Sequence, residues 1–219
     1  MIENERTLAE LSSSRAAAYG LLARLCRSEV DADLLMELKA ARFPVPSGSE
    51  LMDKGYRLID SYVSAVEDDT EDCRLTELAV DFSRVFIGLG TDGHSAAYPF
   101  ESVYTSEKRL IMQKARTEVA AAYRSAHVAA LPTWKEGEDH IAAELEFMQI
   151  LCMRDDELAE SLATQRSFLQ AHLLVWAPLM AADMRRFAKT DFYRGLACLL
   201  EGFLILDGEL LDLVAPRYE

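Results

Sequence analysis

The sequence predicts an all-α fold: a single helical domain over residues 1–219, with about seven to nine helices. Half of the residues are apolar, and Leu and Ala outnumber Val and Ile, which favours helix over sheet. Apolar residues recur at helical spacing through most of the chain, and no stretch alternates with the two-residue period of a strand. The ten Gly and six Pro fall mostly between the periodic stretches, where they break helices. A chain of this length buries roughly 70% of its unfolded surface in one core, so no second, linker-separated domain is required.

From about Glu5 to Cys26, residues Leu8, Leu11, Ala18, Leu21, Leu22 and Leu25 mark a first helix. A short second one follows near Asp31 to Ala40 and is stopped by "RFPVPSGS". Leu51 to Val66 and Leu75 to Phe86 give two more, separated by the acidic run "EDDTED", a solvated turn. The stretch "IGLGTDGHSAAYPF" then places three Gly and one Pro in fourteen residues, the longest break in the chain. It leads into an aromatic loop, "YPFESVY", Tyr98 to Tyr104. Helix resumes from about Thr105 to Ser125, with Leu110, Met112, Val119, Ala122 and Tyr123 on its apolar positions. After the connector "AHVAALPTWKEG", a helix from about Glu138 to Arg154 carries Ile141, Leu145, Met148 and Cys152 as one stripe. Leu158 to Lys189 and Phe192 to Val214 close the chain, and Pro178 kinks or divides the first of these.

The net charge of −14 sets up an average field that repels phosphate backbones and anionic lipid headgroups, so nucleic acid is not an expected partner. A cationic peptide is attracted instead, or the charge serves only to keep the protein soluble; charge alone favours neither reading. Cys26, Cys73, Cys152 and Cys198 are widely spaced with no Cys-x-x-Cys, as expected of buried free thiols in a reducing compartment. The N-terminus carries Glu3, Glu5 and Glu10 where a secretory signal is basic and then apolar, so the expected location is the cytoplasm. No window reaches the roughly 18 consecutive apolar residues of a membrane span, and no stable membrane insertion is expected.

Two stretches could carry function. In "EGEDHIAAELEFM", His140 and Glu144 lie one helical turn apart on one face, behind Glu138 and Asp139. Ordinary helix chemistry accounts for this cluster, with acids complementing the helix dipole, Asp139 as a cap and His140 paired to Glu144. A polar recognition site at a helix start accounts for it equally. A metal site is disfavoured: a di-iron bundle needs two Glu-x-x-His units, and none of His94, His127, His140 or His172 has Glu three residues before it. In the aromatic stretch, Pro99 restricts both itself and Tyr98, so the rings are partly preorganised for binding, or else they plug the core. Gly-x-Ser-x-Gly and the phosphate-cradling Gly-x-x-x-x-Gly-Lys-Ser/Thr are both absent, so no enzyme activity and no cofactor are expected.

Five segments in order, "DFSRVFIG", "YPFESVY", "EDHIAAELEFM", "FLQAHLLVW" and "FYRGLACLLEGFL", give the chain a resemblance to the cytoplasmic redox-enzyme maturation chaperones of the TorD/DmsD/NarJ group, closer to the TorD and DmsD branches. The resemblance implies an all-helical chaperone that binds the twin-arginine signal peptide and the apo-form of a molybdenum-cofactor oxidoreductase of the DMSO/TMAO-reductase type, assisting cofactor insertion and delaying export. It implies a peptide-binding region formed by Tyr98, Pro99, Phe100, Glu101, Ser102, Val103 and Tyr104 with Asp139, His140 and Glu144. Aromatic and aliphatic walls would take the apolar segment, and Asp139, Glu144 and Glu101 would face the arginines. Where many members have tryptophan and glycine in the loop, this chain has Phe100 and Glu101. The group includes monomers and domain-swapped dimers, for which residues 88–97 form a plausible hinge. A helical scaffolding or regulatory protein with another partner, and a metal-dependent helical enzyme, are the alternative readings.

Overall fold

The computed structural model describes residues 2–41, 43, 45–65, 71–88, 95–154 and 158–217. These form ten α-helical segments: α1 (Ile2–Arg27), α2 (Ala32–Ala40), α3 (Glu50–Ser64), α4 (Glu71–Phe82), α5 (Glu101–Thr105), α6 (Lys114–Ser125), α7 (Ile141–Cys152), α8 (Leu158–Phe168), α9 (Leu174–Phe187) and α10 (Asp191–Val214). The fold is all-helical, and the β-pairing among the described residues is a single isolated bridge between Phe100 and His140. α8 and α9 join through a π-helical segment, Leu169–Leu173, directly upstream of Pro178. Pro178 stands inside α9, where its missing N–H and its ring bear on the carbonyl four residues back, at Leu174, just after the π-helical segment ends.

The described chain divides into two compact units built from interleaved segments. One comprises Met1–Arg27, Phe100–Trp176 and Asp207–Glu219; the other comprises Ser28–Pro99 and Ala177–Leu206. In the first, α1 packs along α7, and the predicted stripe of Ile141, Leu145, Met148 and Cys152 is buried. Tyr123, Phe147 and Phe168 cluster beside it, with ring centroids 4.6 and 4.8 Å apart along the series. Buried Arg15 donates to Asp207 through Nε and Nη2 at 2.5 and 2.9 Å, and the Tyr19 hydroxyl donates to the same carboxylate at 2.6 Å. Each buried charge thus has its counter-charge.

In the second unit, α3 and α10 meet at glycines. A Cβ on Gly195 would stand 2.8 Å from the Gly55 carbonyl oxygen, and one on Gly55 equally close to that of Gly195. Asp81, from "DFSRVFIG", is buried and accepts from the Lys189 and Thr190 N–H groups and the Thr190 hydroxyl, so it fixes the entry to α10.

Three expectations change. The helix expected from Thr105 to Ser125 is instead the short α5, an irregular turn over residues 106–113, and α6. Arg109 and Met112 adopt φ of 50° and 59°, which ends any helix there, and Leu110 and Met112 are exposed rather than packed. The aromatic "loop" is itself helical from Glu101. Cys73 is exposed, whereas Cys26, Cys152 and Cys198 are buried as expected. His94, residues 89–93 of the glycine-rich stretch and residues 67–70 of the acidic run lie outside the described residues.

Candidate functional site

The first helical turn of α7 organises the site. The carbonyl of Asp139 accepts from the Glu101 N–H at 2.9 Å, and its carboxylate Oδ2 accepts from the Ser102 N–H and hydroxyl at 3.0 and 2.5 Å. A residue 37 positions downstream thereby supplies the acceptors that start α5. The Ser102 hydroxyl in turn accepts from the Gln113 N–H at 3.1 Å, so Asp139 also braces the turn that follows α5.

His140, not Asp139, caps α7: its Nδ1 accepts from the Ala142 N–H at 3.1 Å. Its ring stands edge-on to Phe100 on one side and Trp134 on the other, at 5.1 and 5.3 Å. Burial, and next the nearby Arg27 charge, push its pKa down to about 4, which keeps Nδ1 free to accept. Glu144 does not pair with His140. It is fully buried and accepts from Trp176 Nε1 at 3.2 Å; burial, and next the Glu101 carboxylate, hold its pKa well above the usual carboxylate range. Glu101 is buried too, with its Oε2 2.9 Å from His172 Nδ1. Tyr104 stacks on Trp176 at 5.7 Å, while Val103 is buried.

Of the ten residues singled out in the sequence, eight therefore share the first unit, tied together around α5 and the start of α7. Tyr98 and Pro99 belong to the second unit, where the Tyr98 hydroxyl lies 3.4 Å from Ser95 Oγ and Pro99 is buried. Asp139, Glu144 and Glu101 do not present carboxylates to solvent. Each has one oxygen partnered inside, Asp139 by Ser102, Glu144 by Trp176 and Glu101 by His172, while Asp139 Oδ1 and Glu144 Oε1 are buried without a hydrogen-bond partner among the described residues.

The first unit also opens a groove of about 600 Å³, which the sequence did not disclose. Its floor is Tyr123, Ala143, Phe147 and Ile150, and its far wall is the connector of residues 128–134 with Leu131 and Trp134. Leu131 is 72% exposed and Ile150 40%, so the opening is apolar and wet. Arg27 reaches over the Trp134 ring at 5.6 Å and pairs with Glu146 at the rim, where both side chains are partly exposed. Periodicity misses this surface because half of it comes from an irregular connector; the signal available was "LPTW", two large apolar residues beside a proline in a segment expected to be polar.

Among the described residues no group of three His, Cys, Asp or Glu side chains is arranged to hold a metal ion, and no helix is long and apolar enough to cross a membrane. What the site offers is a preformed apolar groove with a charged rim, the equipment of a binding protein.

Comparison with known proteins identifies the class. The family described as nitrate reductase delta subunit matches residues 49–182. A chaperone protein TorD of Vibrio parahaemolyticus is 34% identical over 161 residues, spanning 70% of this chain and 73% of the relative. TorD chaperones of Aliivibrio fischeri and Shewanella pealeana are 29% and 27% identical, the first spanning 93% of this chain and 97% of its own length, the second 90% of each. The chain belongs to the nitrate reductase delta subunit family, as a TorD-type redox-enzyme maturation chaperone. The matched relatives are chaperones, not enzymes.

Proposed function

We propose that this protein is a cytoplasmic chaperone of molybdoenzyme maturation that holds the twin-arginine signal peptide and the apo-form of a DMSO/TMAO-reductase-type oxidoreductase until the cofactor is in place. The observation that carries the reading is the groove between α7 and residues 128–134: apolar, open, and large enough for several aliphatic side chains. The apolar segment of the peptide fills it against Trp134, Leu131, Phe147 and Ile150. The arginines are met at the rim, where Glu146 is held by Arg27 in a pair weak enough to exchange.

Of the residues expected to form the peptide-binding region, those of 100–104 with Asp139, His140 and Glu144 belong to it in this proposal as its support. His140 touches both Phe100 and Trp134, so the set of the groove wall depends on α5 being held by Asp139.

The test is calorimetric titration of the protein with a twin-arginine signal peptide and with the same peptide carrying alanine at both arginines. Saturable binding, weakened at least tenfold by the alanine peptide and by Glu146→Gln, is the expected result. Equal binding of both peptides removes the arginine-reading role from the rim; no binding of either peptide overturns the proposal.

A further inference from the structure

The turn between α5 and α6 carries an anomaly that a signal-peptide groove does not explain. Leu110, Ile111 and Met112 are consecutive and exposed by 53%, 49% and 63%. Such a run is costly on a soluble surface unless something covers it. It is not loosely placed. Arg109 N–H donates to the Ser106 carbonyl at 3.1 Å, the Arg109 guanidinium lies 5.5 Å from the Tyr104 ring centre, and Gln113 N–H is bonded to Ser102, itself fixed by Asp139. Arg109 and Met112 both hold positive φ, which side chains other than glycine adopt at a cost. Hydrogen bonds anchored on the buried Ser102–Asp139 pair thus hold a strained turn that exposes three apolar side chains.

The charge around this turn is opposite to that of the molecule. From residue 106 to 117 there are four bases, Lys108, Arg109, Lys114 and Arg116, and one acid, Glu107, in a chain with 37 acids and 23 bases. Arg116 is committed to Glu138 at 2.5 Å. Lys108 and Arg109 are exposed, and Lys114 is 86% exposed with a partner, Glu118, one helical turn away. Exposed pairs of that kind are readily given up.

We propose that this turn is a peripheral docking element for an anionic lipid surface, with Leu110, Ile111 and Met112 entering the boundary of the acyl region and Lys108, Arg109 and Lys114 lying among the headgroups. A fluid apolar phase takes up three consecutive exposed apolar side chains without a fitted pocket, and anionic headgroups match the bases that flank them. The flanking bases are long enough to keep their charges at headgroup level while the stems follow the apolar residues down. The average charge of the chain opposes approach, but beyond roughly 8 Å at physiological salt that repulsion is screened, and the local basic turn decides. The cationic turn also disfavours the arginine-rich end of a signal peptide, which separates this surface in function from the groove.

Co-sedimentation of the full chain with vesicles tests it. Equimolar phosphatidylcholine and phosphatidylglycerol vesicles should pellet the protein on the order of tenfold better than phosphatidylcholine alone, and less so as salt is raised. Leu110→Ser with Ile111→Ser and Met112→Ser, and separately Lys108→Glu with Lys114→Glu, should each remove most of that preference with the helical circular dichroism unchanged. Titration with the signal peptide, run on the same variants, should be unaffected, which keeps this result independent of the groove. Failure of the native protein to prefer anionic vesicles, or variants that pellet as well as the native protein, would overturn the proposal and return the turn to an acidic protein face.

Discussion

His140 shows how one side chain takes a role that sequence assigns to others. It was a candidate for binding and for pairing with Glu144; it is a neutral helix cap wedged between Phe100 and Trp134. Because its folded-state pKa lies at about 4, below the 6.5 of the free ring, the neutral form contributes stability that is fully present above pH 6.5 and is lost as pH falls toward 4. The size of that loss is on the order of 3 kcal/mol for a shift of this extent. His140→Asn keeps an acceptor for the Ala142 N–H without the titration. Denaturant melts between pH 7 and 4 should show a flatter pH dependence for the variant than for the native protein; parallel profiles would mean the ring is not shielded as the structure places it. Neighbouring Asp139 was legible as important but not in its role. Its partner Ser102 lies 37 positions away, and no local pattern encodes a contact that distant.

At the scale of the element, most helices were readable because each buries one face, and burial writes a period of 3.6 into the sequence. α2 begins one residue after the Asp31 cap, whose carboxylate accepts from the Leu34 N–H at 2.9 Å, and α7 buries the whole predicted stripe. The failure came between α5 and α6, where Leu110 and Met112 fit a helical period by accident while the Gln113 N–H, donated to the Ser102 hydroxyl, holds a turn. The contact of α3 with α10 depends on two residues that periodicity treats as gaps, Gly55 and Gly195. Gly195→Ala should destabilise by about 1 to 3 kcal/mol, since the added methyl meets a backbone carbonyl that cannot rotate away. Leu145→Ala, at the centre of the α7 stripe, should cost about 2 to 5 kcal/mol. Chemical denaturation measures both, and a neutral Gly195→Ala would show that the two helices can separate at no cost.

At the scale of the whole molecule, and on the proposed function, the charge of −14 would bear on how a cationic signal peptide arrives rather than on how long it stays. Stopped-flow fluorescence of Trp134 should show an association rate that falls steeply as salt is raised and a dissociation rate that changes little, because release is governed by apolar contacts in the groove. A dissociation rate that rises as steeply as association falls would place the arginine contacts at the centre of binding instead. By itself the sequence determined the helical class, nearly every helix, the acidic average field and the family, since periodicity, composition and ordered motifs are local or additive properties of a chain. Only the tertiary structure decided which acids are buried, that Leu131, Trp134 and Ile150 form one groove with Arg27 at its edge, and that a basic, apolar turn stands exposed. Those features arise where segments distant in sequence meet, and the energy of burying a carboxylate or opening a groove depends on neighbours that no single segment contains.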